Sequence, residues 1–198
     1  MASPKREMLL DCARKLFETE GFHTTGIDRI LETAGVAKMT LYNNFGSKDL
    51  LIVAVLEKAS HDMISRLEEA TSQVSNDPYE QILGIFDALA LWHSDPEFCG
   101  CMFQAAVAEF PDHDSEPAKA AAAHFQSVAT MFEQMCTKAE LPDSQTLSKM
   151  LGMLASGASC SARQTRTRQP ADHARQIAEI LLERACSSGF SPIEPTQI

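Results

Sequence analysis

Apolar residues recur along this chain every three or four positions, and nowhere do they alternate over the length of a strand. That period selects helices. Leu9, Cys12, Ala13, Leu16 and Phe17 trace one buried face, and Ser3-Pro4 opens their helix with proline at the first position. Gly21 ends it. Thr24 or Thr25 is expected to cap the next helix, whose inward positions are Ile27, Ile30, Leu31 and Ala34. Gly35 then supplies a left-handed stop. A third helix, from about Ala37 to Asn44, buries Leu41 and contributes Phe45 at its end. Ser47 is suited to cap a fourth, with Asp49 favourably placed in its first turn.

Five further helices follow, punctuated by proline. One runs from Pro78 to about His93, one from Gly100 to Phe110, one from Pro117 to about Ala139, one over about 144–164 and one from Pro170 to about Cys186. The expected architecture is all-α with about nine helices. A three-helix head spans 1–46, a helical body spans 47–188 and is entered through a long connecting helix over 47–71, and 189–198 form a mobile tail.

Charge separates the two parts. Residues 1–60 carry eight Lys/Arg and eight Asp/Glu, so the net charge of −10 resides in the remainder. An acidic body behind a neutral head argues against indiscriminate polyanion binding, while leaving room for a local basic contact surface. No apolar run approaches the roughly 18 residues of a membrane helix, and the charged N-terminus lacks a signal-peptide core. A cytoplasmic protein with no membrane partner is expected. Six cysteines then read as free thiols, most of them buried; Cys99 and Cys101 form a C-x-C without the second pair that a zinc site needs.

The third helix is odd for core-building sequence. Around Leu41 and Phe45 it arrays Lys38, Met39, Thr40, Tyr42 and Asn43. Two short helices joined through Ala34-Gly35-Val36 fit a helix-turn-helix, whose second helix lies in the DNA major groove and needs a polar outer face. Lys38 and Thr40 can reach bases or phosphates, Met39 a thymine methyl, and Tyr42 and Asn43 offer a phenol and an amide. Thr24, Thr25 and Lys48 are placed for flanking phosphates.

Leu16-Phe17, Gly21-Phe22, Thr24-Thr25, Ile27, Ile30, Ala34-Gly35-Val36, Thr40-Leu41-Tyr42, Phe45 and Ser47-Lys48-Asp49-Leu50-Leu51 together resemble the TetR family of bacterial transcriptional repressors, in its AcrR-like branch. The resemblance covers about residues 8–55. It implies a homodimer, a palindromic double-stranded operator and a small-molecule effector in the C-terminal body, with no cofactor, no metal and no enzymatic role. The pattern departs at Ala37, where Ser or Thr is usual, at Met39, where Gly is common, and at Asn43-Asn44, where aromatic or His residues are frequent.

In the body, Phe86, Leu89, Trp92, Met102, Phe103, Phe125, Val128 and Phe132 are large apolar side chains suited to enclosing an apolar ligand or simply to forming core. His93, Glu109 and His124 stand out as polar groups in that setting, either orienting a ligand or hydrogen-bonded structurally. The stretch from Gly100-Cys101 through Ala106 and Glu109-Phe110 to Pro117 resembles the C-terminal domain of one subgroup of the family. Glu109→Ala is accordingly expected to spare DNA binding. Gly152, Ala155, Ser156 and Ser159, with Ile177, Ile180 and Leu181, are expected to pair with their two-fold mates, as in relatives. Two alternatives stand beside this reading: a thiol-based redox regulator acting through Cys99 and Cys101, and a helical-bundle enzyme.

Overall fold

The computed structural model describes residues 4–188, apart from the side chains of Val74 and Ser188. Ser3 of the expected Ser3-Pro4 helix start and the expected mobile tail over 189–198 lie outside the described residues. Among the described residues there are nine α-helices and no strand. They are α1 (Pro4–Glu20), α2 (Ile27–Ala34), α3 (Lys38–Phe45), α4 (Lys48–Val74), α5 (Pro78–His93), α6 (Met102–Glu109), α7 (Glu116–Lys138), α8 (Ser144–Thr165) and α9 (Gln169–Ser188).

Local chemistry sets most of the ends. Asp77 caps α5 by accepting from the Tyr79 amide at 3.0 Å, with Pro78 at the first helical position. Ser47 caps α4 by accepting from the Leu50 amide at 3.1 Å. Gly35 closes α2 at φ 62°, and the amides of Gly35 and Val36 bond the carbonyls of Glu32 and Leu31. The expected threonine cap of α2 is corrected: the cap position is Gly26, with no side-chain bond. α3 likewise starts at Ala37 without a side-chain cap.

Two compact units emerge, and they do not divide the chain at residue 46. The first joins residues up to Met63 with Cys99–Phe125; the second joins Ile64–Phe98 with residues from Gln126 onward. The physical reason for the later cut is burial along the first half of α4. Leu51, Ile52, Val55 and Leu56 are as inaccessible as Leu9, Ala13, Phe17, Ile30 and Leu41. In the second unit, α5, α8 and α9 pack together. Their core comprises Ile82, Phe86, Leu151, Ala158, Ala178 and Leu182, with Phe132 of α7 stacked against Phe86 at 6.1 Å.

Four cysteines follow the expectation of shielded thiols, with Cys101 and Cys136 buried and Cys12 and Cys99 partly so. Cys160 and Cys186 depart from it and are exposed, since each falls on the outer side of its helix.

Candidate nucleic-acid interface

Leu41 and Phe45 point into the first unit, and helical geometry then forces the other side chains of α3 outward. Lys38, Met39, Tyr42 and Asn43 are exposed, with Met39 at 66% and Tyr42 at 38%. Thr40 is half-buried at the edge of this face. Lys38 reaches Asp28 at 4.0 Å, but both side chains are open to water, where such pairs contribute little. Its ammonium is therefore available to a phosphate. Asn44, in contrast, turns back on its own helix and donates to the Thr40 carbonyl at 2.7 Å.

The turn between α1 and α2 flanks this face. Thr24 is exposed. Thr25 is corrected. It is wholly inaccessible, and its hydroxyl donates to the Gly21 carbonyl at 2.7 Å, so it secures the turn instead of facing a phosphate. Lys48 is half-buried, and its ammonium donates to the His23 carbonyl at 3.4 Å, which holds it beside Thr24.

Residues 9–55 match the family described as bacterial regulatory proteins, tetR family. Over those residues the head is similar to members of that family. Similar curated proteins include the HTH-type transcriptional activator FasR of Mycolicibacterium smegmatis, 38% identical over 66 residues, covering 33% of this chain and 30% of that protein. The HTH-type transcriptional regulator UidR of Escherichia coli K12 is 32% identical over 68 residues, covering 34% of this chain and 35% of that protein. The chain thus aligns with about a third of the length of these curated relatives. Over its greater part it shares the fold of SCO4454, a TetR-family transcriptional regulator from Streptomyces coelicolor. That likeness has a TM-score of 0.83 and 29% identity, and covers 91% of this chain and 95% of the other.

The side chains expected around a ligand fall in both compact units. Phe86, Leu89, His93 and Phe132 are buried in the second, with Trp92 and Val128 partly so. Met102, Phe103 and His124 are buried in the first, where Phe125 is half-buried. Phe103 stacks on the His124 imidazole at 3.5 Å, nearly parallel, and Nδ1 of that ring lies 2.8 Å from the Ser60 hydroxyl. Burial lowers the pKa of His124 to about 4, so it is neutral at pH 7.

His93 is similarly held. Ser159 donates its hydroxyl hydrogen to the Ala155 carbonyl at 3.1 Å, so it accepts from His93 Nε2 at 3.1 Å. Nδ1 is then the bare nitrogen, and it is buried without a partner. Burial lowers this pKa also to about 4. A cleft of about 570 Å³ opens elsewhere in the second unit, lined by Glu68, Glu69, Thr71, Gln81, Met135 and Lys138 among its walls. None of the expected ligand residues lines it.

Glu109 is the largest displacement from expectation. Its carboxylate does not enter the body. It accepts from the backbone amides of Phe22 at 3.1 Å and His23 at 2.7 Å, in the α1–α2 turn of the head. Of the expected dimer residues, Gly152, Ser156, Ile177, Ile180 and Leu181 are at least partly exposed. Ala155 and Ser159 are corrected, being buried within the chain's own second unit, Ser159 against His93. Among the described residues, no group of three His, Cys, Asp or Glu side chains is placed to hold a metal ion. No described helix is long and apolar enough to cross a membrane.

Proposed function

We propose that this protein is a ligand-responsive transcriptional regulator of the AcrR-like branch, acting in the cytoplasm as a homodimeric repressor of a palindromic operator. One observation carries the reading. Lys38, Met39, Tyr42 and Asn43 stand exposed on α3 of a tetR-family head, with Thr24 and Lys48 beside them. That set offers donors, an apolar contact and two flanking phosphate ligands to a major groove. Two such heads, about 34–36 Å apart, would meet successive grooves on one side of the duplex.

The dimer reading draws on α8 and α9. Met153, Ile177 and Ile180 are exposed at 69%, 46% and 62%, and a Cβ built on Gly152 or Gly157 would meet nothing within 4 Å. These glycines therefore serve no close packing inside the chain, at a helix-propensity cost of about 1 kcal/mol each. A facing copy supplies the reason. A small, largely apolar effector that binds the body better in a state with splayed heads would shift the dimer off its operator. The thiol alternative has weaker support, because Cys101 is buried and burial pushes its thiol pKa up, where a redox sensor needs an exposed thiolate.

The test is to select bound fragments from the host genome with the wild-type protein, then to measure affinity by fluorescence anisotropy. Tyr42→Ala should weaken binding in a sequence-dependent way. Lys48→Ala should weaken it on every fragment and reduce the salt slope by about one. Unchanged affinity in both variants would remove α3 and its flank as the DNA face.

A further inference from the structure

We propose that Glu109, at the C-terminal end of α6, is a positioning residue for DNA binding, and that α6 works as part of the DNA-binding unit. The inference rests on the DNA-binding reading above and adds to it an element 86 residues away in sequence from the turn it controls.

The α1–α2 turn must leave helix α1, reverse, and present Thr24 outward within a few residues. Gly21 makes the reversal at φ +88°, a conformation that favours glycine. This leaves the next two backbone amides, those of Phe22 and His23, pointing the same way with no helical carbonyl to meet. Glu109 takes both, one per carboxylate oxygen, at 3.1 and 2.7 Å. Such charge-assisted bonds are stronger than neutral ones.

The contact is reciprocal. His23 Nε2 lies 2.7 Å from the Glu109 carbonyl, and since a carbonyl only accepts, Nε2 is the protonated nitrogen. Phe110, the next residue, packs its ring against His23 at 4.8 Å and Phe22 at 5.8 Å. The fit is close. A Cβ on Gly21 would stand 3.1 Å from Glu109 Oε1, so the space for the carboxylate exists because residue 21 has no side chain.

Two groups of the DNA face depend on this turn. Thr24 follows His23 directly, and Lys48 is held by the His23 carbonyl at 3.4 Å. A carboxylate next to a phosphate-binding surface would repel DNA if it were free, so its placement is explicable by what it holds. The other end of α6 is fixed as well, with Phe103 stacked on His124 and His124 bonded to Ser60 of α4. α6 is only eight residues long, Met102–Glu109.

The experiment uses the full chain and a fragment selected by the wild-type protein. Glu109→Ala should lower affinity by about tenfold or more, the change equivalent to losing one charge-assisted hydrogen bond. Two readouts separate positioning from general weakening. Amide exchange at Phe22 and His23 should accelerate while the α1 core stays protected. The slope of log affinity against log salt should fall by about one as Lys48 loses its anchorage. Glu109→Gln, which keeps the shape and one acceptor oxygen, should lie between wild type and Ala and provides the same readouts if the Ala variant folds poorly. Wild-type affinity and salt slope in Glu109→Ala, with Tyr42→Ala impaired, overturns the proposal and leaves the DNA face standing. Wild-type binding by Tyr42→Ala and Lys48→Ala as well removes the DNA face and the proposal with it.

Discussion

Acid should unfold this protein earlier than its carboxylates alone would, and two buried histidines set the window. His93 and His124 are 3% and 4% exposed, and burial lowers each pKa from 6.5 to about 4. Between those values the unfolded chain binds a proton at each site and the folded chain does not. Stability is therefore full above pH 6.5 and declines as pH falls towards 4, by about 1.4 kcal/mol per pH unit for each histidine. Over the whole window each contributes roughly 3 kcal/mol, so the pair removes a large part of the 5–15 kcal/mol typical of a folded domain.

Urea titrations at pH 7.5, 6.5, 5.5 and 4.5, at one protein concentration, measure this loss. Trp92, the chain's single tryptophan, has its ring 5.5 Å from that of His93 and reports on the second unit. Far-UV circular dichroism reports on both units. His93→Leu should flatten the pH dependence of the Trp92 transition, and His124→Phe that of the remaining signal. A double variant that loses stability between pH 6.5 and 4 as steeply as wild type would refute the reasoning, because the protons would then be binding elsewhere.

Thr25→Val keeps the shape of a fully buried side chain but deletes its 2.7 Å bond to the Gly21 carbonyl. It should cost about 1 kcal/mol of stability by denaturant titration, while DNA affinity per folded molecule holds; a large affinity loss at full stability would restore Thr25 to the phosphate face. Ile180→Glu places a charge on the 62% exposed apolar side chain of α9. Light scattering after size exclusion should show a monomer with lost operator binding, and a persisting dimer would place the interface elsewhere.

The helices and the outward side of α3 were open to reading from the sequence for a local reason. Pro78 and Asp77 start α5, Gly35 stops α2, Ser47 caps α4, and each acts on atoms within about one turn. Once Leu41 and Phe45 are known to be buried, the helical period alone determines that Lys38, Met39, Tyr42 and Asn43 point outward. The inside of α8 was less legible, because Ala155 and Ser156 are both small and only the helices packed against α8 decide which one is covered.

Tertiary structure decided what depends on distant surfaces meeting. Thr24 and Thr25 are adjacent and chemically identical, yet one faces solvent and the other bonds Gly21, a choice made by how the turn closes over the core. Glu109 looks like a ligand residue by its neighbours in sequence, and no local pattern could show that two amides 86 and 87 residues away would meet it. Periodicity and caps are properties of a few consecutive residues, whereas the partner of a carboxylate is a property of the folded chain.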